Sequence, residues 1–544
     1  MNDSARVLRK LVLILCGTLL LNGTVAAAGT YQDLVSLYRS WRVFERPPLR
    51  DGAPDYTGTT NARRQMELRH YQARLAAIDP RSWPREQRID YELVRAQFSG
   101  MDFDFRVLQP WARDPAFYLS IQDEQSDTPE HEGPTHHAVI ELWQYTFPLS
   151  GASQARLAGE LHTVRPLLEQ ARRNLTGNAH DLWVTGTGTL QGQVDKLEKL
   201  ATQVTDASPE LRDALTEATA ATRNFVAWLQ TQTPRKTGPS GIGKEAYTWS
   251  QRNVHLVPLT WDEEVTLLKR ELGRAHASLR EEEQRNRGLP QLKPSSTPEE
   301  HKDRAEAAVT KYMAFLARED IFAVEPYLEP AMRRHIDAFV PIEKRNFFSI
   351  ASHYEPITLY AHFQHWLDHA WLEHAPNASE IRRSAWLYNV WDTRAEGMAT
   401  AMEELVLHAG YYDDNPRARE IVWIMLAQRC ARGLASLYAQ ANQFDLQQAK
   451  AFQVEWTPRG WMRPDLDLLG FEQQLYLRQP GYGTSYVTGK ALIDDLIKDR
   501  AHQLGDEFTL HRFFDEFNGA GMMPVSLIHW QMTGDSSGVP TLAN

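Results

Sequence analysis

Four histidines lie within thirteen residues in the segment Ala361–His374. On a continuous helix, His362, His365 and His369 are three and four residues apart and share one face. His365 and His369 have the i, i+4 spacing that lets two imidazoles contact one zinc ion. Between them, Asp368 completes His-x-x-Asp-His, a shortened-acid version of the inverted zinc motif His-x-x-Glu-His, in which the acid is the general base. The spacing therefore predicts His365 and His369 as metal ligands and Asp368 as the base.

A third ligand would have to come from another helix, and residues 391–405 supply one. Glu396 and Glu403 are seven residues apart and share a helical face, beside small residues that allow a second helix to approach closely. Two histidines and Glu396 would form the His₂Glu set of many zinc hydrolases, with a fourth position for water. Glu403, about two turns further on, is predicted either to orient a histidine ring or to form a salt bridge on a polar face.

His362 has two predicted roles. It could replace His369 as a ligand, because His362 and His365 are also neighbours on the helical face, or it could lie on the substrate side of the site. His374 precedes the helix-ending signal Pro376-Asn377 and is expected to be exposed. An amphipathic helix that packs histidines without any metal gives the same sequence pattern.

These side chains must be positioned by helices, because helical periodicity runs through most of the chain. Apolar residues recur at three- and four-residue spacing in long segments such as 355–374, 383–409 and 417–443. Ser208-Pro209-Glu210 and Thr297-Pro298-Glu299 are helix starts, and Thr260-x-x-Glu263 is a capping box. Thr248–Val257 is the best strand candidate. The predicted fold is mainly α, a large multi-helical, zincin-like body with at most a few short strands.

Two stretches read as loops, residues 109–137 and 232–246. The acidic, histidine-bearing part Asp123–His137 either covers a cleft or is a solvated surface loop. A boundary in the second stretch divides the chain into an N-terminal helical region, 29–235, and a C-terminal helical region, 236–544, that carries the predicted metal site. Both regions could also form one domain.

The N-terminus has the features of a secretory signal peptide over residues 1–28. Basic residues precede an apolar run from Leu11 to Leu21, and three alanines follow it. The run is shorter than the ~20 residues of a spanning helix, so no stable membrane insertion is expected. Cys16 lies inside the run after Leu15, where a lipidation site would have a small residue. Cys430 is expected to be a packed core thiol, and the mature protein to be secreted or periplasmic.

Composition excludes several classes of protein. The chain has 544 residues, 42% hydrophobic and 24% charged, which is typical of a large globular protein. Its formal charge of −11 and the lack of a dense basic block argue against a nucleic-acid partner. Composition does not predict the oligomeric state.

Several segments, in order, resemble the bacterial family known as domain of unknown function 885. The clearest are Ala395-Glu-Gly-Met-Ala-Thr-Ala-Met-Glu-Glu-Leu405, Pro480-Gly-Tyr-Gly-Thr-Ser-Tyr-Val-Thr-Gly489 and the closing stretch from Leu504 to Leu527. The likeness extends over roughly residues 30–530. It implies an exported, mainly helical protein related to gluzincin-type zinc metallopeptidases. It also implies that Glu396, which matches the first glutamate of the family's Glu-Gly-Trp-Ala segment, is the third metal ligand.

The chain departs from the family at the metal motif His-Glu-x-x-Pro-Gly-His. The corresponding place holds His362-Phe-Gln-His-Trp-Leu-Asp-His369, without the adjacent glutamate or the Pro-Gly. The motif is degenerate, so either Asp368 has become the base or the peptidase chemistry has been lost or changed.

A hydrolase also needs a hydrogen-bond donor for the developing oxyanion. Tyr486, in the Pro-Gly segment, is the predicted donor, with Tyr482 as the alternate and a candidate substrate-binding residue. The predicted function is zinc-dependent hydrolysis of amide bonds in a peptide or a small peptidoglycan-derived fragment. One alternative is a metal-free binding descendant of the family. Another is a glycan-active helical toroid with a groove lined by Trp366, Trp371, Trp386 and Trp391.

Overall fold

The protein is a large, mainly α-helical body, as predicted. The computed structural model describes residues 29–126, 128, 136–383, 387–388, 390–466 and 468–542. The predicted signal peptide and Cys16 lie outside these residues. Within them no helix is both long enough and apolar enough to cross a membrane.

The described residues contain 22 α-helices in chain order. The first eight are α1 Tyr31–Glu45, α2 Gly58–Ala76, α3 Arg85–Phe103, α4 Pro110–Arg113, α5 Gly151–Leu161, α6 Val164–Asn174, α7 His180–Gln203 and α8 Pro209–Gln232. The next seven are α9 Lys244–Ser250, α10 Trp261–Arg285, α11 Pro298–Arg318, α12 Leu328–Arg333, α13 Phe347–Tyr354, α14 Ile357–Tyr360 and α15 Gln364–His374. The last seven are α16 Asp392–His408, α17 Pro416–Gln440, α18 Leu446–Trp456, α19 Leu468–Arg478, α20 Tyr482–Leu504, α21 Leu510–Ala520 and α22 Val525–Thr533.

Side-chain caps start several helices where the sequence predicts them. Thr260 accepts a hydrogen bond from the amide of Glu263, whose carboxylate in turn bonds the Thr260 amide, so the capping box of α10 is confirmed. Ser208 and Thr297 cap α8 and α11 immediately before their first-turn prolines. These ends depend only on residues close in sequence.

Strands are few and short in the described part of the chain. β1 (Leu49–Arg50) pairs antiparallel with β2 (Ala53–Pro54), and β3 (Ile121–Gln122) pairs parallel with β4 (Ile140–Glu141). The prediction of a strand at Thr248–Val257 is wrong. This stretch finishes α9 and continues as a π-helical turn, Gln251–His255, because its apolar residues pack into a helical core instead of a sheet.

Two large hydrophobic clusters form most of the core. One contains residues from Ala53 to Leu229, including Trp183 and Phe225. The larger cluster joins N-terminal residues such as Trp41 to most of the C-terminal helices. The segment 232–246 lies against the end of α17, since a Cβ at Gly241 would meet the carbonyl oxygens of Ala439 and Gln440. The division at residue 235 stays a prediction.

The predicted single helix at residues 355–374 is broken. α14 ends at Tyr360, residues 361–363 form a turn, and α15 begins at Gln364. His362 therefore lies in a turn outside the helix that carries His365 and His369, and the three histidines do not share one helical face.

Helices α16 and α20 make the closest crossing in the C-terminal half. A Cβ at Gly397 would lie 2.5 Å from the Cα of Gly489, so the two backbones touch where both side chains are absent. The small residues around Glu396 thus admit α20, which brings its N-terminal tyrosines beside α16.

We expect Gly397→Ala to destabilise the protein by about 1–3 kcal/mol, because the added methyl group must push two backbones apart. The matched control is Gly273→Ala on α10, where the helix is exposed and a Cβ meets nothing within 4 Å. That substitution should stabilise the protein by about 0.5–1 kcal/mol through helix propensity. Urea unfolding of both variants measures the difference, and equal effects would contradict the close crossing.

Candidate functional site

A buried group of three potential metal ligands lies between α15, α16 and the turn before α15. His362, His365 and Glu396 each offer a ligand atom, and these atoms all lie within 4.8 Å of one another. The side chains of His365 and Glu396 are 0% and 1% exposed. The structure therefore brings together two of the three predicted ligands, and the second histidine of the group is the predicted alternate, His362.

One distance in this group equals that of a tetrahedral zinc site. Nε2 of His365 lies 3.3 Å from Oε2 of Glu396. Two ligand atoms at ~2.0–2.1 Å from a zinc ion, in tetrahedral geometry, are about 3.3 Å apart. Two imidazoles and one carboxylate are also the donor set of hydrolytic zinc sites.

Two charged groups contact the ring of His362. Its Nδ1 lies 3.0 Å from Oε1 of Glu403, and the guanidinium of Arg429 approaches the same oxygen to 2.6 Å. Arg429 also lies 3.1 Å from Nδ1, and because a guanidinium only donates, Nδ1 accepts and the neutral ring carries its proton on Nε2. Burial, and then the charge of Arg429, hold the pKa of His362 well below its ordinary value, so the ring is neutral.

The two glutamates of α16 have opposite pKa shifts. Burial by itself would raise the pKa of Glu396, but His365 and the Tyr482 hydroxyl, which donates to Oε1, hold it below its usual range. Burial raises the pKa of Glu403 to about 8, although Arg429 and Arg432 oppose the shift. Glu403 thus lies beside both a histidine ring and a guanidinium, the partners of its two predicted roles, and these roles stay predictions.

Tyr486 and Tyr482, on the first turns of α20, lie beside this group. The ring of Tyr486 is nearly parallel to that of His362, with centroids 6.2 Å apart. On the Tyr486 ring lies the guanidinium of Arg432, 3.8 Å from its centroid, and Arg432 also pairs with Glu472 at 3.1 Å. The structure therefore places both predicted tyrosines at the site and adds Arg429, Arg432 and Glu472.

His369 is not one of the three grouped ligands, although it lies one turn after His365 on α15. Its ring stacks on Trp366, 5.3 Å between centroids, and Trp366 stacks in turn on His335. These side chains line a surface pocket together with Gln125, a residue of the acidic loop Asp123–His137. His374 stacks on Tyr327 and is exposed, as expected.

Asp368 has a partner that the sequence did not indicate. Its two carboxylate oxygens accept hydrogen bonds from the two terminal nitrogens of Arg394, each at 2.9 Å. Both side chains are almost fully buried. The geometry gives Asp368 the role of anchoring α15 to α16 in place of the predicted role of base.

A cavity of about 180 Å³ is lined by residues of both halves of the chain. Two of them, Gln479 and Pro480, come shortly before Tyr482 and α20. Another, His255, lies 4.0 Å from Asp392, which is one helical turn before Glu396 on α16. The cavity is thus linked to the ligand group through neighbours in α16 and α20, and the three ligands themselves do not line it.

The predicted tryptophan groove is not formed by the described residues. Trp391 is 1% exposed in the core, Trp371 packs on Phe322, and Trp366 lines the surface pocket of His369. Trp386 lies outside the residues that the structure describes.

We expect Asp368→Asn to lower the free energy of unfolding by about 3–5 kcal/mol, because it leaves the buried guanidinium of Arg394 without its carboxylate. Asp495→Asn, at an exposed pair with Lys498, is the matched control and should leave the urea midpoint unchanged. A catalytic base would behave differently, since its loss would abolish activity and preserve stability.

The chain matches one family of bacterial proteins and is similar in fold to two solved structures. The model of the family described as "Bacterial protein of unknown function (DUF885)" matches residues 41–347 and 365–532. A solved structure titled a "putative lipoprotein of unknown function" from Shewanella oneidensis is 15% identical, with a TM-score of 0.66, over 93% of this chain and 100% of that one. A "putative lipoprotein" from Colwellia psychrerythraea is 13% identical, with a TM-score of 0.62, over 93% of this chain and 99% of that one. No curated protein matches the sequence.

Proposed function

The chain belongs to the DUF885 family of bacterial proteins, and on that premise we propose that it is an exported, zinc-dependent hydrolase of amide bonds. Its substrates would be peptides or small peptidoglycan-derived fragments. The observation that carries the proposal is the buried group of His362, His365 and Glu396, whose ligand atoms lie within 4.8 Å of one another. A relation to gluzincin-type peptidases with an altered metal motif belongs to the same proposal.

The residues around the group have separable tasks in this proposal. A zinc ion bound there would supply Lewis acidity for a scissile carbonyl and for water. Arg429 fixes the ring of His362 by its hydrogen bond to Nδ1, and Tyr482 fixes the carboxylate of Glu396 by its hydrogen bond. Tyr486, 6% exposed and packed along His362, is the donor for the oxyanion.

We expect purified protein to contain about one zinc ion per chain, and the variants His362→Ala, His365→Ala and Glu396→Ala to lose it. His369→Ala is the matched control, because His369 is on the same helix as His365 and stacks on Trp366 away from the group. Inductively coupled plasma mass spectrometry measures the content. Zinc loss in His369→Ala with retention in His362→Ala would restore the ligand pair predicted from spacing and contradict the group proposed here.

In an assay of amide hydrolysis on a panel of short peptides and muropeptides, we expect Tyr486→Phe to lower kcat about 10²–10³-fold with little change in KM, as loss of an oxyanion donor does. Tyr312→Phe removes the hydroxyl of another buried tyrosine, in the core against Tyr411, and should leave kcat unchanged. Equal values of kcat for wild type and Tyr486→Phe would exclude Tyr486 as the oxyanion donor. Full activity after zinc removal by a chelator would contradict the zinc dependence of the hydrolase.

One observation favours a second function, a metal-free binding descendant. Arg429 is 0% exposed and its guanidinium also lies 3.1 Å from Nδ1 of His362, so a permanent positive charge faces the ligand group. Such a charge opposes a divalent cation. In this case the protein would contain no zinc, show no thermal shift with added zinc, and still bind its ligand in the cavity lined by His255 and Pro480.

A further inference from the structure

The cavity lined by His255 and Pro480 is enclosed by both halves of the chain. Aromatic rings form much of its wall: Tyr56, Phe103, Phe105, Trp111, Phe117 and Tyr388. Its volume of about 180 Å³ is below the ~300–1,000 Å³ of pockets for drug-sized ligands. A ligand the size of one amino-acid residue suits this space, and an apolar body suits its wall.

Strained backbone surrounds this cavity. Two π-helical turns, Asp104–Leu108 and Gln251–His255, end in the left-handed residues Gln109 and Leu256, with φ of 43° and 53°. Tyr388 is a third left-handed residue in the wall, with φ of 61°. Such conformations cost about 1–3 kcal/mol each, and both they and π-turns concentrate at functional sites.

Most charged groups of the wall are matched by neighbouring protein groups. Nε2 of His137 lies 2.9 Å from Oε1 of Glu45, and Arg478 lies 2.8 Å from Asp114. Arg64 donates to the backbone carbonyls of Phe44 and Glu45. Burial lowers the pKa of His136 to about 3, so that this ring is neutral.

Asp104 is the exception. It is partly buried and lines the cavity, and no hydrogen bond or cation to its carboxyl is found among the described residues. Burial, with the nearby carboxylate of Glu45, raises the pKa of Asp104 to about 8. A protein keeps such a group only at a cost, which a ligand of opposite charge would remove.

Carboxylates next to aromatic faces are the surroundings that an organic ammonium group prefers, through a charge-assisted hydrogen bond and cation–π attraction. We propose that this cavity binds a primary ammonium group on an apolar body of about one residue, with Asp104 as its hydrogen-bond acceptor. The identification of this group as the free amino end of a peptide rests on the proposed function; the binding itself does not.

The test is isothermal titration of the mature protein with phenylalanine amide and with N-acetyl-phenylalanine amide, two probes that differ in the ammonium group. We expect phenylalanine amide to bind at least tenfold more tightly. Asp104→Asn should weaken its binding at least tenfold and leave the acetylated probe unaffected. Asp102→Asn is the matched control, since Asp102 lies on the same helix and pairs with Arg106 at 2.6 Å, outside the cavity.

The metal site is tested separately with His365→Ala, which should bind phenylalanine amide like the wild type. If this variant binds phenylalanine amide, and the wild type contains no zinc and hydrolyses no amide, the proposed hydrolase is overturned and the ammonium site is retained. Equal affinity for both probes, no binding of either, or unchanged binding in Asp104→Asn would each overturn the ammonium site. The probe comparison in the wild type decides the case even where Asp104→Asn fails to fold.

Discussion

Charge compensation inside a helical core determines how the C-terminal half is arranged. Glu396, Glu403, Glu472, Arg429 and Arg432 are all almost fully buried. A buried ion without a partner costs several kcal/mol, so each of these groups must meet an opposite charge or a strong hydrogen bond. The pairs Arg429–Glu403 at 2.6 Å and Arg432–Glu472 at 3.1 Å meet this demand and thereby set the positions of α16, α17 and α19 relative to one another.

The histidine group follows from the same arrangement. The contact of Gly397 with Gly489 brings α20 onto α16, so that the hydroxyl of Tyr482 reaches Glu396. The bidentate pair of Asp368 with Arg394 fixes α15 against α16 and brings His365 to the same carboxylate. A glycine contact, a salt bridge and the turn that interrupts the helix before Gln364 thus together position three ligand atoms. Disturbing any of them should move the group.

Sequence alone predicted the features that depend on neighbouring residues. The mainly helical fold and the cap at Thr260 are local. His365, Glu396 and both tyrosines lie together in the structure, while their predicted roles stay predictions. The exchange of His369 for His362 could not be foreseen, because the turn at 361–363 interrupts an otherwise regular helical pattern. The pairing of Asp368 with Arg394, found in place of the predicted role as a base, could not be predicted because Arg394 is on a different helix. Arg429 and Arg432, three residues apart within the apolar run 421–438, were a readable signal of buried charge. The cavity could not be predicted, since segments as distant as Glu45 and Arg478 form its wall.

The contacts around His362 separate two properties of the proposed site, metal binding and proton transfer. Metal binding requires a neutral histidine with a lone pair directed at the ion. Burial and the charge of Arg429 keep the ring of His362 neutral, but the guanidinium donates to Nδ1, so the proton of the ring is on Nε2. A zinc ion would therefore have to displace that proton or the guanidinium. Proton transfer would depend on another group, since Asp368 is occupied by Arg394. In the proposed hydrolase, zinc content and hydrolysis are thus separable properties of the site.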